Sequence, residues 1–121
     1  MARVFSAPSI IKAAGNKPKE LKEFIGRVNS ATSGISIALM KSPQGWEEPG
    51  QTPGFDEYTI ILKGTLKVET MNDILTLNAG QAVMVSEGEW VRYSTPYEGG
   101  TEYIAVCIPA FSTDNVNRDQ R

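Results

Sequence analysis

The sequence contains no histidine. That absence excludes Ser–His–Asp and Cys–His nucleophilic catalysis, and zinc hydrolases built on an HExxH helix. Any proton transfer must fall to Glu, Asp, Tyr, Lys or Cys. There is one cysteine, Cys107, so no intrachain disulfide can form, and a reducing, cytoplasmic setting is expected. Long apolar runs are also missing. No stretch approaches a membrane span, and the opening MARVFSAPSIIKAAGNK holds no apolar run of signal-peptide length. Neither sign of charge dominates: 12 Lys+Arg against 14 Asp+Glu give a net charge of −2. The one basic concentration, Lys17, Lys19 and Lys22, is interrupted by Glu20 and Glu23 and reads as an exposed polar face. Displacing counterions from phosphates needs a positive surface, so nucleic acid is not an expected partner.

What remains is the composition of an ordinary folded domain. The 121 residues, 40% of them hydrophobic, suffice for one domain with its own core and no disulfide. Short β-rich runs alternate with turn residues. EFIGRV (23–28) precedes the turn-like NSATSG (29–34). In GISIALMK (34–41), Ile35, Ile37 and Leu39 alternate with Ser36, Ala38 and Met40, the period of a half-buried strand. A Pro/Gly-rich loop fills 42–54. EYTIILKGTLKVET (57–70) reads as a strand pair broken at Gly64. Further strands are expected at 74–77, 81–85, 90–95 and 101–108, with turns between. A helical turn is expected around Lys19–Phe24, within the Pro18-containing segment 8–24.

Strands recurring about every ten residues, joined by connections too short for parallel crossovers, imply an all-β sandwich or barrel. One domain is expected over 1–121, with a core at about 23–111, an N-terminal arm at 1–22 and a polar tail at 112–121.

The turn spacing resembles the cupin superfamily, whose first motif is G(X)5HXH(X)3-4E(X)6G and whose second is G(X)5PXG(X)2H(X)3N. Gly45, Gln51, Pro53, Glu57 and Gly64 follow the first spacing; Gly80, Ser86, Gly88, Val91 and Thr95 follow the second. The resemblance covers residues 45–108 and implies a jelly-roll barrel, the double-stranded antiparallel β-helix. It also implies that Gln51, Pro53 and Val91 stand where the family's metal-binding histidines would be. Of the four usual ligands only Glu57 remains, so neither a metal nor any other cofactor is expected. Within the superfamily, FDEYTIILKGTLKV, AGQAVMVSEGEWVRYSTP and the closing Pro109-Ala110-Phe111 are similar to the cupin domain of the ethanolamine-utilisation Q proteins. That likeness implies a link to microcompartment metabolism and acyl-phosphate chemistry. Cupins commonly pair, and the apolar start RVFSAPSII (3–11) suits a homodimer.

Faces alternate along a barrel strand. If Glu57 points inward, so do Thr59 and Ile61, and the second motif puts Val91, Tyr93 and Thr95 inside. Tyr58, Ile60, Leu62, Trp90 and Arg92 then face outward. Glu57 is the candidate catalytic group, because burial in an apolar barrel raises a carboxyl pKa toward neutrality. The alternative is a structural Glu hydrogen-bonded to Tyr93 or a backbone amide. Candidate ligand-binding residues are Gln51, Phe55, Thr59, Val91, Tyr93 and Trp46. For Tyr93 simple packing, and for Gln51 plain solvation, are the competing readings. Asp56 and Glu57 are strand neighbours and point apart, so they are no carboxylate pair. Cys107, within YIAVCI, reads as a buried inert thiol. Three functions follow: a metal-independent barrel binding a small polar or anionic metabolite, a metal-free isomerase, lyase or acyl-phosphate enzyme using Glu57, or a structural barrel filled by its own side chains.

Overall fold

The computed structural model describes residues 1–120. Nine strands run in chain order: β1 (Ser9–Ile10), β2 (Glu20–Ile25), β3 (Ser36–Ser42), β4 (Trp46–Glu47), β5 (Asp56–Thr70), β6 (Ile74–Asn78), β7 (Ala82–Val85), β8 (Val91–Thr95) and β9 (Thr101–Ile108). Every pairing is antiparallel, as turns this short require. The pairing order is β1-β2-β3-β9-β5-β8-β4, with β6 and β7 also on β5.

The fifth strand organises the barrel. Its first half pairs with β9 and β7, and its second half with β6 and β8. One continuous strand of 15 residues stands where the sequence suggested two. Gly64 bends that strand without breaking it. It has φ +78, and a Cβ there would run into the carbonyl oxygen of Gly100, so only glycine lets the two backbones approach. The ladder slips between Ile61 and Lys63. This bulge changes the inward set from Glu57, Thr59 and Ile61 to Leu66 and Val68, which turns the strand from one sheet face to the next.

The expected helical turn at Lys19–Phe24 is absent. Those residues form β2, whose Leu21 and Glu23 are buried while Glu20 is exposed. Pairing of Leu21 with Met40 and Glu23 with Ala38 satisfies the backbone of a segment that period-two burial suits better than a helix. The strand ends at Ile25. There the Glu23 carboxylate accepts the backbone N–H groups of Val28 (3.0 Å) and Asn29 (2.7 Å) and closes the turn.

The main apolar cluster joins both sheets through Trp46, Ile61, Leu66, Val68, Leu77, Val85, Val91, Tyr93 and Tyr103. A smaller cluster of Phe55, Cys107 and Val116 is packed by Phe111, whose ring meets that of Phe55 edge-on at 6.1 Å. Val116 comes from the polar tail. The tail folds back over the barrel through a bridge between Gln51 and Arg118 and the bond from the Trp90 indole N–H to Asp119 (2.9 Å). Among the described residues no helix is long and apolar enough to cross a membrane.

Candidate functional site

The two sheets do not fill the space between them. A cavity of about 60 Å³ lies inside the barrel. Its floor is supplied by inward residues of β3, β5 and β9: Ala38, Met40, Thr59, Ala105 and Cys107. Its polar wall comes from Glu57 of β5, Tyr93 of β8, Glu48 and Gln51 of the loop after β4, and Lys19 just before β2. Arg118 of the tail and Ala13–Ala14 of the N-terminal segment complete the lining.

Glu57 is buried. Its Oε1 accepts the Tyr93 hydroxyl at 2.9 Å, and its Oε2 faces the Cys107 thiol at 3.8 Å. Burial raises its pKa above the usual carboxylate range, against the pull of the Tyr93 hydrogen bond and of Lys19. Glu48, also buried, has its pKa pushed up to about 7 by loss of solvent, with Lys19 acting the other way and Glu57 adding to the rise. Burial also pushes the Tyr93 hydroxyl and the Cys107 thiol up, each helped by the neighbouring Glu57. The wall therefore holds two carboxyl groups whose protonated forms burial favours, and one of them, Glu48, can carry or release a proton near neutral pH. It also holds a thiol kept protonated and hence a poor nucleophile.

Of the residues expected around a ligand, Gln51, Phe55, Thr59 and Tyr93 line the cavity together with Glu57. Val91 and Trp46 do not; both lie in the packed core instead. Val91 is fully buried because its backbone exchanges two hydrogen bonds with Gln51, each 2.9 Å, which locks it beneath the loop. The Trp46 ring is covered by the N-terminal segment: its indole N–H donates to the Ala14 carbonyl at 3.1 Å, and the Lys19 ammonium sits 3.9 Å from its ring centroid. Asp56 faces away from the cavity and accepts the backbone N–H of Glu87 at 2.8 Å. Arg92 faces outward onto Glu69 at 3.0 Å.

Glu48, Lys19 and Arg118 are among the lining residues that were not anticipated. Glu48 shares the inward face with Trp46, two positions apart, once β4 is read as a strand; the Pro/Gly content of the loop hid that alternation. Lys19 shares a face with Leu21 and Glu23 for the same reason, concealed by the helical expectation. Arg118 had no local signal, because only the folding back of the tail brings it to Gln51.

A metal of the kind most cupins hold does not suit these donors. Gln51 and Glu57 reach the cavity, whereas Val91 packs in the core. No group of three or more His, Cys, Asp or Glu side chains converges among the described residues. The lining instead brings Lys19 and Arg118 close enough to act on Glu48. Two carboxyl groups, Glu48 and Glu57, with one amide and a protonated thiol beside two cations, and no imidazole, do not match what a transition ion binds.

No family model matches the chain. It is 38% identical over 93 residues to a curated protein of Myxococcus xanthus named endoribonuclease YbeY; the match covers 77% of this chain and 32% of that protein. The chain thus spans about a third of the curated relative it matches. Among solved structures, it superposes on a predicted oxalate decarboxylase from Thermotoga maritima with a TM-score of 0.73 at 19% identity, covering 90% of this chain and 99% of that one. It also superposes on an ethanolamine utilization protein Q from Salmonella typhimurium with a TM-score of 0.67 at 17% identity, covering 86% and 97%. At such identities the likeness is one of fold.

Proposed function

We propose, for a chain whose fold is that of the cupins, that the barrel binds a small polar or anionic metabolite without a metal ion or other cofactor, in the cytoplasm. The observation that carries this reading is the cavity itself, walled by Glu48 and Glu57 rather than packed shut. Buried acids are rare unless paired, and a purely structural barrel gains nothing by keeping two of them around an open space. The donor set argues for metal independence, since imidazoles are replaced by Gln51 and by the core residue Val91.

A second reading, enzymatic use of Glu57 as general acid or base, is favoured by one contact. The Tyr93 hydroxyl, 2.9 Å from Oε1, holds the carboxyl in a fixed orientation, while burial raises its pKa above the usual carboxylate range and so favours its protonated form. The nuclease activity named for the Myxococcus protein is not carried over, because the match covers only 32% of that protein.

The test is a thermal-shift screen of metabolites on wild type and Glu57→Gln, with and without EDTA, followed by turnover assays on any hit. Ligand stabilisation unaffected by EDTA is expected. Stabilisation retained in Glu57→Gln supports the binding barrel, and turnover lost with binding retained supports the enzyme. A stoichiometric transition metal in the purified protein would overturn metal independence.

A further inference from the structure

The hydrogen-bonding groups of the cavity are not all matched. Gln51 is only 4% exposed, yet its Oε1 has no partner. A buried amide oxygen left bare is unfavourable, so it calls for an N–H or O–H from something else in the cavity. Lys19 donates to the Tyr103 hydroxyl at 2.9 Å and lies near the Met40 sulfur at 3.5 Å. The Lys19 ammonium forms none of the ion pairs among the described residues, so its third N–H has no oxygen partner, only the face of the Trp46 ring at 3.9 Å. Arg118 Nε is likewise buried without a partner. The wall therefore offers two cations with donors to spare and one neutral acceptor.

We propose that the cavity recognises a short 2-hydroxycarboxylate whose carboxylate is held by Lys19 and Arg118 and whose hydroxyl donates to Gln51 Oε1. This rests on the binding-barrel reading and narrows it to a ligand class. Size agrees. The cavity measures about 60 Å³, and one water needs about 10–15 Å³ on that measure, so about four to six non-hydrogen atoms fit. Ala38, Ala105 and Phe55 on the lining give the short carbon chain an apolar seat.

The alternatives each leave something unmatched. An unsubstituted acid leaves Gln51 Oε1 bare. A 2-amino acid brings a third cation beside Lys19 and Arg118. A dicarboxylate sets its second carboxylate against the Gln51 oxygen. The groups that titrate around the ligand are Glu48, Glu57, Tyr93, Tyr103, Cys107 and Glu23, with Lys19 and Arg118 as the facing cations. Glu48 loses its proton at about pH 7. Its ionised form competes with an anion for the same two cations, so affinity falls as pH rises through that value.

The experiment is isothermal titration of the full chain with lactate, glycolate, propionate, alanine and oxalate at about pH 6 and about pH 8. Lactate or glycolate is expected to bind at least about tenfold more tightly than propionate, the effect of one buried hydrogen bond. Gln51→Met is expected to lower the hydroxy acids to the propionate level and leave propionate unchanged. Lys19→Met is expected to weaken all the monocarboxylates. Equal affinity for lactate and propionate in wild type overturns the proposal, as does a preference for alanine or oxalate, or an unchanged ratio in Gln51→Met. If that variant does not fold, the wild-type ratio decides. The broader reading fails separately: it falls only if neither these acids nor a panel of neutral fragments (acetamide, glycerol, urea) perturbs the methyl resonances of Ala38 and Ala105. Neutral fragments binding where acids do not would remove the ligand class and leave the barrel a binding protein.

Discussion

Replacing Glu48 by glutamine should make the protein more stable at alkaline pH. The Glu48 carboxyl is buried, and its pKa rises from 4.5 to about 7 on folding. The folded state therefore binds the proton more tightly than the unfolded chain does. Stability is full below the unfolded value and is lost as pH climbs from about 4.5 to about 7. At about 1.36 kcal/mol per pH unit the loss amounts to roughly 3 kcal/mol. A glutamine side chain at this position would keep the shape and the polar end without the charge. The Glu48→Gln variant should match wild type near pH 5 and exceed it near pH 8, by up to roughly 3 kcal/mol, or roughly 10 °C in Tm for a domain of this size. Glu57 shifts in the same direction, so a weaker downward slope should persist in the variant. Urea titrations across that pH range measure both. A wild-type midpoint that stays flat from about pH 5 to about pH 8, or a variant no more stable at the upper end, would refute the claim that burial governs this acid.

Glu57→Leu strands the Tyr93 hydroxyl now bonded at 2.9 Å; a loss of about 1–3 kcal/mol is expected, whereas Glu57→Gln keeps an acceptor and should cost less, as equilibrium unfolding will show. Cys107 should react with a bulky thiol reagent far more slowly than an exposed cysteine, because it is buried and burial raises its pKa; rapid labelling of the native protein would contradict that. The outer face of the β3-β9-β5-β7 sheet exposes Tyr58 (40%), Ile60 (48%), Leu62 (43%), Met84 (45%) and Ile108 (44%), with Tyr58 paired to Met84 and Asp56 to Ile108. A contiguous apolar face of this kind suits a homodimer. Wild type should run as a dimer in light scattering and Ile60→Lys as a folded monomer; a monomeric wild type would end that idea.

Sequence alone determined the architecture and the direction in which several side chains point. Period-two alternation in β3 and β5 is a local property of the chain. Along β5 it separated Glu57, Thr59 and Ile61 from Tyr58, Ile60 and Leu62 without reference to any contact, and the likeness of Gly45, Gln51, Pro53, Glu57 and Gly64 to the first cupin motif implied that the Glu57 set points inward. Where alternation was disguised, the reading failed: a helical turn expected around Lys19–Phe24, despite Pro18 and the β pattern after it, hid the inward side of Lys19, and the Pro/Gly loop hid Glu48. Only the tertiary structure could decide the rest. Whether an inward residue meets a cavity or a packed core depends on what stands opposite it, which is why Val91 and Trp46 belong to the core while Gln51 meets open space. The return of the tail to lay Arg118 beside Gln51, and the protonation of Glu48 by burial among distant strands, are long-range effects that no local pattern encodes.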